Sequence, residues 1–79
     1  MKTVRVQLDV PQSRINDIKS MMDDTGLATR KDLYEDALTL FQWAINQRKA
    51  GRIFVSTNKD GSKPCELLMP SLAKVKPRE

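Results

Sequence analysis

The sequence predicts a mainly α chain with one short N-terminal β-strand and a C-terminal β-hairpin, and three observations carry that expectation. Apolar and polar residues alternate through VRVQLDVP, residues 4 to 11, and the alternation stops at a proline. Two stretches follow in which apolar residues recur at helical spacing. After Gly51 the chain becomes β-branched and then rich in turn residues.

The strand is expected over Thr3 to Val10. Successive side chains of an extended chain point to opposite faces, so Val4, Val6, Leu8 and Val10 share one face and Arg5, Gln7 and Asp9 the other. Any half-exposed strand shows this alternation, so by itself it speaks of structure alone. Pro11 can then open a helix without losing an intrahelical hydrogen bond. Ile15, Ile18, Met21 and Met22 fall within an arc of roughly 120° on a helical wheel, and Arg14, Asp17, Lys19 and Asp23 lie largely on other sides. The two methionines read as core filler. Gly26 is the natural residue to end this first helix, because it enters the left-handed conformation cheaply.

The second helix is announced by TRKD. Thr29 can cap the free backbone amides, and Asp32 three residues later gives a shorter form of the reciprocal capping box. Leu33, Tyr34, Ala37, Leu38, Leu40, Phe41, Ala44 and Ile45 then project onto an arc of about 160°, which is wide for one small partner helix. Trp43 falls outside that arc, beside Asp36 and Gln47, and needs other cover or stands exposed. The helix is expected to end near Gly51, dividing the chain into residues 1–51 and a C-terminal extension of residues 52–79. In the extension RIFVST and CELLMP read as two strands joined through the turn signal NKDG, and SLAKVKPRE as a frayed, flexible tail.

Composition limits what such a chain does. At 79 residues and 9.0 kDa it is one domain at most, of a size at which a lone core is often marginal. No apolar run is long enough to span a bilayer and no secretory leader is recognisable, so a cytoplasmic protein with no membrane partner is expected. Cys65 has no second cysteine and no histidine to join it, which fits a reducing compartment, no metal site, and a buried or inert thiol. No nucleophile is paired with a base and no glycine-rich phosphate loop is present, so neither an enzyme nor a cofactor is expected. Fourteen basic residues against ten acidic give a net charge of +4, modest enough that placement matters more than total.

A strand needs a neighbour, because each backbone N–H or C=O buried unpaired costs on the order of 1 to 3 kcal/mol. The C-terminal hairpin of the same chain is one candidate; the same strand of a second copy, antiparallel about a two-fold axis, is the other. The wide arc on the second helix favours the second copy, since one strand face and one short helix cannot cover it.

In order and spacing, the strand ending at Pro11, the amphipathic helix, the GLATR turn with its capping threonine and the longer helix resemble the ribbon-helix-helix DNA-binding proteins, the group of the Arc and methionine repressors. The resemblance covers about residues 3 to 50. It implies an intertwined homodimer whose two strands form an intermolecular two-stranded antiparallel ribbon that enters the major groove. Val4, Val6, Leu8, Leu33, Ala37 and Phe41 would then form the dimer core.

A two-stranded ribbon fits a major groove roughly 12 Å wide, with its outward side chains aimed at base edges. By register the outward positions are Arg5, Gln7 and Asp9, preceded by Thr3 and Lys2. Arg5 can donate twice to guanine and Gln7 can donate to and accept from adenine, so Arg5, Gln7 and Thr3 are the candidate base contacts. Asp9 departs from the usual preference for a basic or small polar residue, and capping the first helix is its favoured role over accepting from a cytosine amino group. Thr29, Arg30 and Lys31 would anchor phosphate at the start of the second helix, with Lys2 as a further phosphate contact. Two cations at a helix N-terminus oppose its dipole and gain nothing for folding, although Asp32, Glu35 and Asp36 could pair with them as an ordinary solvated surface.

The expected function is sequence-specific DNA binding by a homodimeric regulator, a repressor that occludes a promoter, with dimers stacking along double-stranded DNA as a further option. The alternative is an antitoxin that represses its own operon and grips a toxin through residues 52–69. A third reading, a monomer whose first strand pairs with its own hairpin, binds no DNA.

Overall fold

A computed structural model describes residues 2–78; Met1 and Glu79, at the outer ends of the two expected segments, lie outside the described residues. The chain is mainly helical with one small antiparallel sheet. In order it forms α1 (Gln12–Thr25), α2 (Arg30–Lys49), β1 (Val55–Ser56), β2 (Cys65–Glu66) and α3 (Pro70–Ala73). Two compact units are present, Met1–Glu35 and Asp36–Glu79, and α2 contributes to both.

In the first unit, α1 starts one residue later than the proline rule suggests. Pro11 is the N-cap, with extended backbone (φ −59°, ψ 150°), and its carbonyl accepts the N–H groups of Arg14 (3.0 Å) and Ile15 (3.1 Å). No side chain caps this end. The expectation that Asp9 caps α1 is therefore corrected: the proline takes the capping position, and the carboxylate two residues earlier is out of place for it. Gln12 Nε2 donates to Asn16 Oδ1 (3.3 Å) and Arg14 pairs with Asp17 (3.6 Å) on the exposed side of the helix. Ile18 is buried and Ile15 and Met22 are half-buried, but Met21 is exposed and fills no core. Thr25 Oγ1 donates to the Met21 carbonyl (2.7 Å), and Gly26, at φ 73°, turns the chain out of the helix.

Residues 3–10 form no strand in the single chain. A ladder exists only between two strands, and the one sheet among the described residues consists of β1 and β2.

At the start of α2, Thr29 Oγ1 accepts the N–H of Asp32 (3.1 Å) and the Thr29 carbonyl accepts that of Leu33 (3.2 Å). This is the capping interaction expected of Thr29, worth typically about 1 kcal/mol. Leu33 and Ala44 are buried along the predicted apolar arc, and Phe41 and Ile45 are half-buried. Tyr34, Ala37, Leu38 and Leu40 are exposed, so in one copy of the chain much of the arc has no cover.

In the second unit, α2 ends in a Schellman motif. The Arg52 N–H reaches back to the Gln47 carbonyl (3.1 Å) and the Gly51 N–H to that of Arg48 (2.9 Å), with Gly51 at φ 79°. Arg52 Nη1 also donates to Gln47 Oε1 (2.8 Å), placing a polar contact where such motifs often have an apolar one.

The hairpin pairs Val55 with Glu66 and Ser56 with Cys65, and the Leu67 N–H to Phe54 carbonyl bond (2.9 Å) carries the pairing one step further. The strands are shorter than RIFVST and CELLMP suggest. Lys63, at φ 53°, sets Pro64 ahead of β2, and a proline has no N–H to offer a ladder. Asn58 to Gly61 form the turn: the Gly61 N–H bonds the Asn58 carbonyl (2.8 Å), and the Asn58 N–H bonds that of Ser62 (2.9 Å). Asp60 Oδ1 accepts from both the Ser62 hydroxyl (2.6 Å) and the Ser62 N–H (2.9 Å), and these bonds hold its carboxyl below the ordinary aspartate range.

The hairpin folds back on α2. Phe54 meets Trp43 with ring centroids 5.6 Å apart and planes tilted by 51°, a favourable aromatic arrangement that leaves Trp43 51% exposed. Where a frayed tail is expected, the chain instead forms α3, with Pro70 in its first turn and Leu72 only 4% exposed. The Arg48 guanidinium holds it there, Nε donating to the Leu72 carbonyl (3.3 Å) and Nη1 to the Arg52 carbonyl (3.1 Å). Cys65 is exposed, so of the expected buried or inert thiol the burial is corrected: both residues of β2 are exposed.

Candidate nucleic-acid interface

The two groups of residues expected at DNA occupy different local settings. Lys2, Thr3, Arg5 and Gln7 are all exposed on the segment before α1, and the alternation around them is intact. Val4, Val6 and Leu8 are 78%, 76% and 75% exposed, so most of the apolar side of the segment is uncovered in a single copy; Val10 at its end is half-buried. Of the other residues expected in a dimer core, Leu33 is buried, Phe41 half-buried and Ala37 exposed.

Thr29, Arg30 and Lys31 are brought together by the start of α2, all exposed. The Thr29 hydroxyl oxygen is engaged as a cap through one of its lone pairs. The amides of Arg30 and Lys31 stand at the first two helical positions, where no intrahelical acceptor exists. Arg14 with Asp17 is the only ion pair among the described residues, so Asp32, Glu35 and Asp36 do not neutralise Arg30 or Lys31. A helix start carrying free amides and two unpaired cations can accept a phosphate. No hydrogen bond or ion pair among the described residues joins this group to the segment 2–10.

Sequence reasoning gave no role to the basic residues outside both groups. Lys49, Arg52, Lys74, Lys76 and Arg78 gather in the second unit, where the Arg78 N–H donates to the Lys49 carbonyl. A count of charge along the chain shows the excess after residue 46, but not that the tail returns to α2 and gathers it.

Among the described residues no helix is long and apolar enough to cross a membrane, and no group of three or more His, Cys, Asp or Glu is placed to hold a metal ion. No family profile, no curated protein and no solved structure matches the chain.

Proposed function

We propose that this chain is a sequence-specific DNA-binding regulator of the ribbon-helix-helix type, working as an intertwined homodimer and repressing by occupying its site. One observation carries the reading: Val4, Val6 and Leu8, at alternate positions, are three-quarters exposed in the single chain, while Arg5 and Gln7 lie between them. An uncovered apolar face beside polar base-readers fits a strand whose partner is a second copy. Pairing two such segments antiparallel would give both backbones a ladder and put both apolar faces on one side. Thr29, Arg30 and Lys31 would then hold phosphate and fix register, leaving sequence discrimination to Arg5, Gln7 and Thr3.

An antitoxin that grips a toxin through residues 52–69 finds less support. A segment that folds on its partner is disordered beforehand, whereas here the hairpin is paired and Phe54 already packs on Trp43.

Selection of bound duplexes from a random pool by the full chain tests the reading. Enrichment of a motif with two symmetric half-sites is expected, and Arg5→Ala should relax one position per half-site by about 1 to 3 kcal/mol. A pool that stays random, or an Arg5→Ala variant with unchanged preference, overturns it.

A further inference from the structure

The positive charge of this chain does not lie with the residues proposed to read bases. Residues 1–46 carry six Lys and Arg against seven Asp and Glu, whereas residues 47–79 carry eight against three. The fold then concentrates that excess. The segment from Leu72 to Arg78 is tied to the last turn of α2 at both ends, by Arg48 Nε to the Leu72 carbonyl and by the Arg78 N–H to the Lys49 carbonyl. Lys74 and Lys76 are exposed between these anchors, and Lys49 and Arg78 line one shallow recess with Asn46 and Ala50. Arg52 lies at the same helix end, its carbonyl held by Arg48 Nη1.

Folding accounts for only part of this cluster. Arg48 and Lys49 complement the negative end of the α2 dipole. Lys74, Lys76 and Arg78 have no such role: Lys74 follows a helix of only four residues, and none of the three makes an ion pair among the described residues. Gathering like charges that form no ion pair among the described residues works against the folded state. The arrangement makes sense when an extended polyanion is the ligand.

We infer that Lys49, Arg52, Lys74, Lys76 and Arg78 form a second, sequence-independent contact for the phosphate backbone of double-stranded DNA. The choice of DNA as the polyanion rests on the function proposed above. The surroundings favour it over a lipid surface, which is held by cations together with an inserted apolar face. Along the segment that carries Lys74, Lys76 and Arg78, Leu72 is buried and Val75 half-buried, so neither stands free to insert; Ile53, 58% exposed, lies beside Arg52 alone. The C-terminal unit is thus a clasp on the backbone, and it supplies affinity without discrimination.

Anisotropy titrations of a random-sequence duplex by the full chain, from 50 to 200 mM salt, test the clasp. The Lys74→Gln, Lys76→Gln, Arg78→Gln variant should bind more weakly, with the slope of log K against log salt reduced by about 0.9 for each phosphate no longer neutralised, roughly 2.7 per chain. The Lys74→Gln, Lys76→Gln variant changes two exposed side chains that make no hydrogen bond among the described residues, and its slope should fall by roughly 1.8. A Lys74→Arg, Lys76→Arg variant should keep the original slope. Equal slopes for the neutral variants and the unmodified chain overturn the inference, as do equal reductions for the neutral and charge-keeping variants. Vesicles of phosphatidylserine and phosphatidylcholine serve as the second probe. Vesicle binding that the neutral variants abolish while their DNA binding is unchanged assigns the patch to membranes and overturns the clasp. Arg5→Ala in the same titrations separates the two proposals. If Arg5→Ala leaves sequence preference intact while the neutral variants lower the slope, the base-reading segment fails and the clasp stands; the reverse pattern retains the reader and removes the clasp.

Discussion

Val6→Ala isolates the dimer from the fold of the single chain. Val6 is 76% exposed, so trimming it removes almost no packing from one copy and should leave helix content unchanged. In a shared ribbon the same side chain would be covered. Removing two methylene equivalents at about 0.8 kcal/mol each gives ~1.6 kcal/mol for full burial. Scaled to the three-quarters of the side chain that would pass from water into the interface, this is ~1.2 kcal/mol per copy. Two-fold symmetry applies the loss twice, so about 2.4 kcal/mol leaves the association energy and the dimer dissociation constant rises roughly 60-fold. Sedimentation equilibrium across a concentration series reads that constant directly, with far-UV circular dichroism as the control on the single chain. A dimer of unchanged affinity, or a chain that is monomeric at every concentration before any substitution, refutes the reasoning.

Two further expectations concern the C-terminal unit. Leu72→Ala should destabilise by about 2 kcal/mol, the low end for emptying a buried leucine site because a shallow pocket collapses readily; urea unfolding followed by Trp43 emission measures it. A loss near zero would mean that α3 does not anchor the tail. Asp60 offers a pH test: its carboxyl is depressed first by the Ser62 hydroxyl and then by the Ser62 amide, so its support of the turn is complete above the unfolded aspartate value and is withdrawn as pH falls through the lower folded value. The Ser62 amide resonance should therefore titrate with a midpoint below 3.8, and a midpoint at or above that value would contradict the bonds to Asp60.

What was legible in the sequence is what nearest neighbours along the chain decide. Gly26 and Gly51 mark the helix ends because left-handed backbone is a local demand, and both take it, at φ 73° and 79°. Thr29 caps α2 because its hydroxyl needs only the amide three residues on. Asp9 misled because Pro11 settles the capping position by its own backbone geometry, whatever acid lies upstream. Tail order was illegible for a different reason. Leu72 is buried beside a recess it shares with Ile53, Phe54 and Leu67, and Arg48, 24 residues before it, donates to its carbonyl; no periodicity records contacts so distant along the chain. Pro70 was the one local hint, since proline favours the first turn of a helix. For the candidate site, the exposure of Arg5, Gln7, Arg30 and Lys31 followed from polarity alone, whereas the basic cluster required the tail to return to α2.

The two proposals together give the uneven charge a physical rationale. Cations attract every sequence alike, so placing more of them on the segment that reads bases would raise affinity for random and preferred duplexes together and leave their ratio unchanged. Discrimination instead comes from bidentate groups such as Arg5 and Gln7, whose hydrogen bonds go unmade on the wrong base. A chain whose first 46 residues are slightly acidic, with Asp9 beside the readers, weakens its own grip on arbitrary DNA at that segment. A separate basic unit can restore affinity without touching the bases. By the same reasoning Asp9, which makes no cap contact, would lower affinity for every sequence alike and leave discrimination to Arg5 and Gln7.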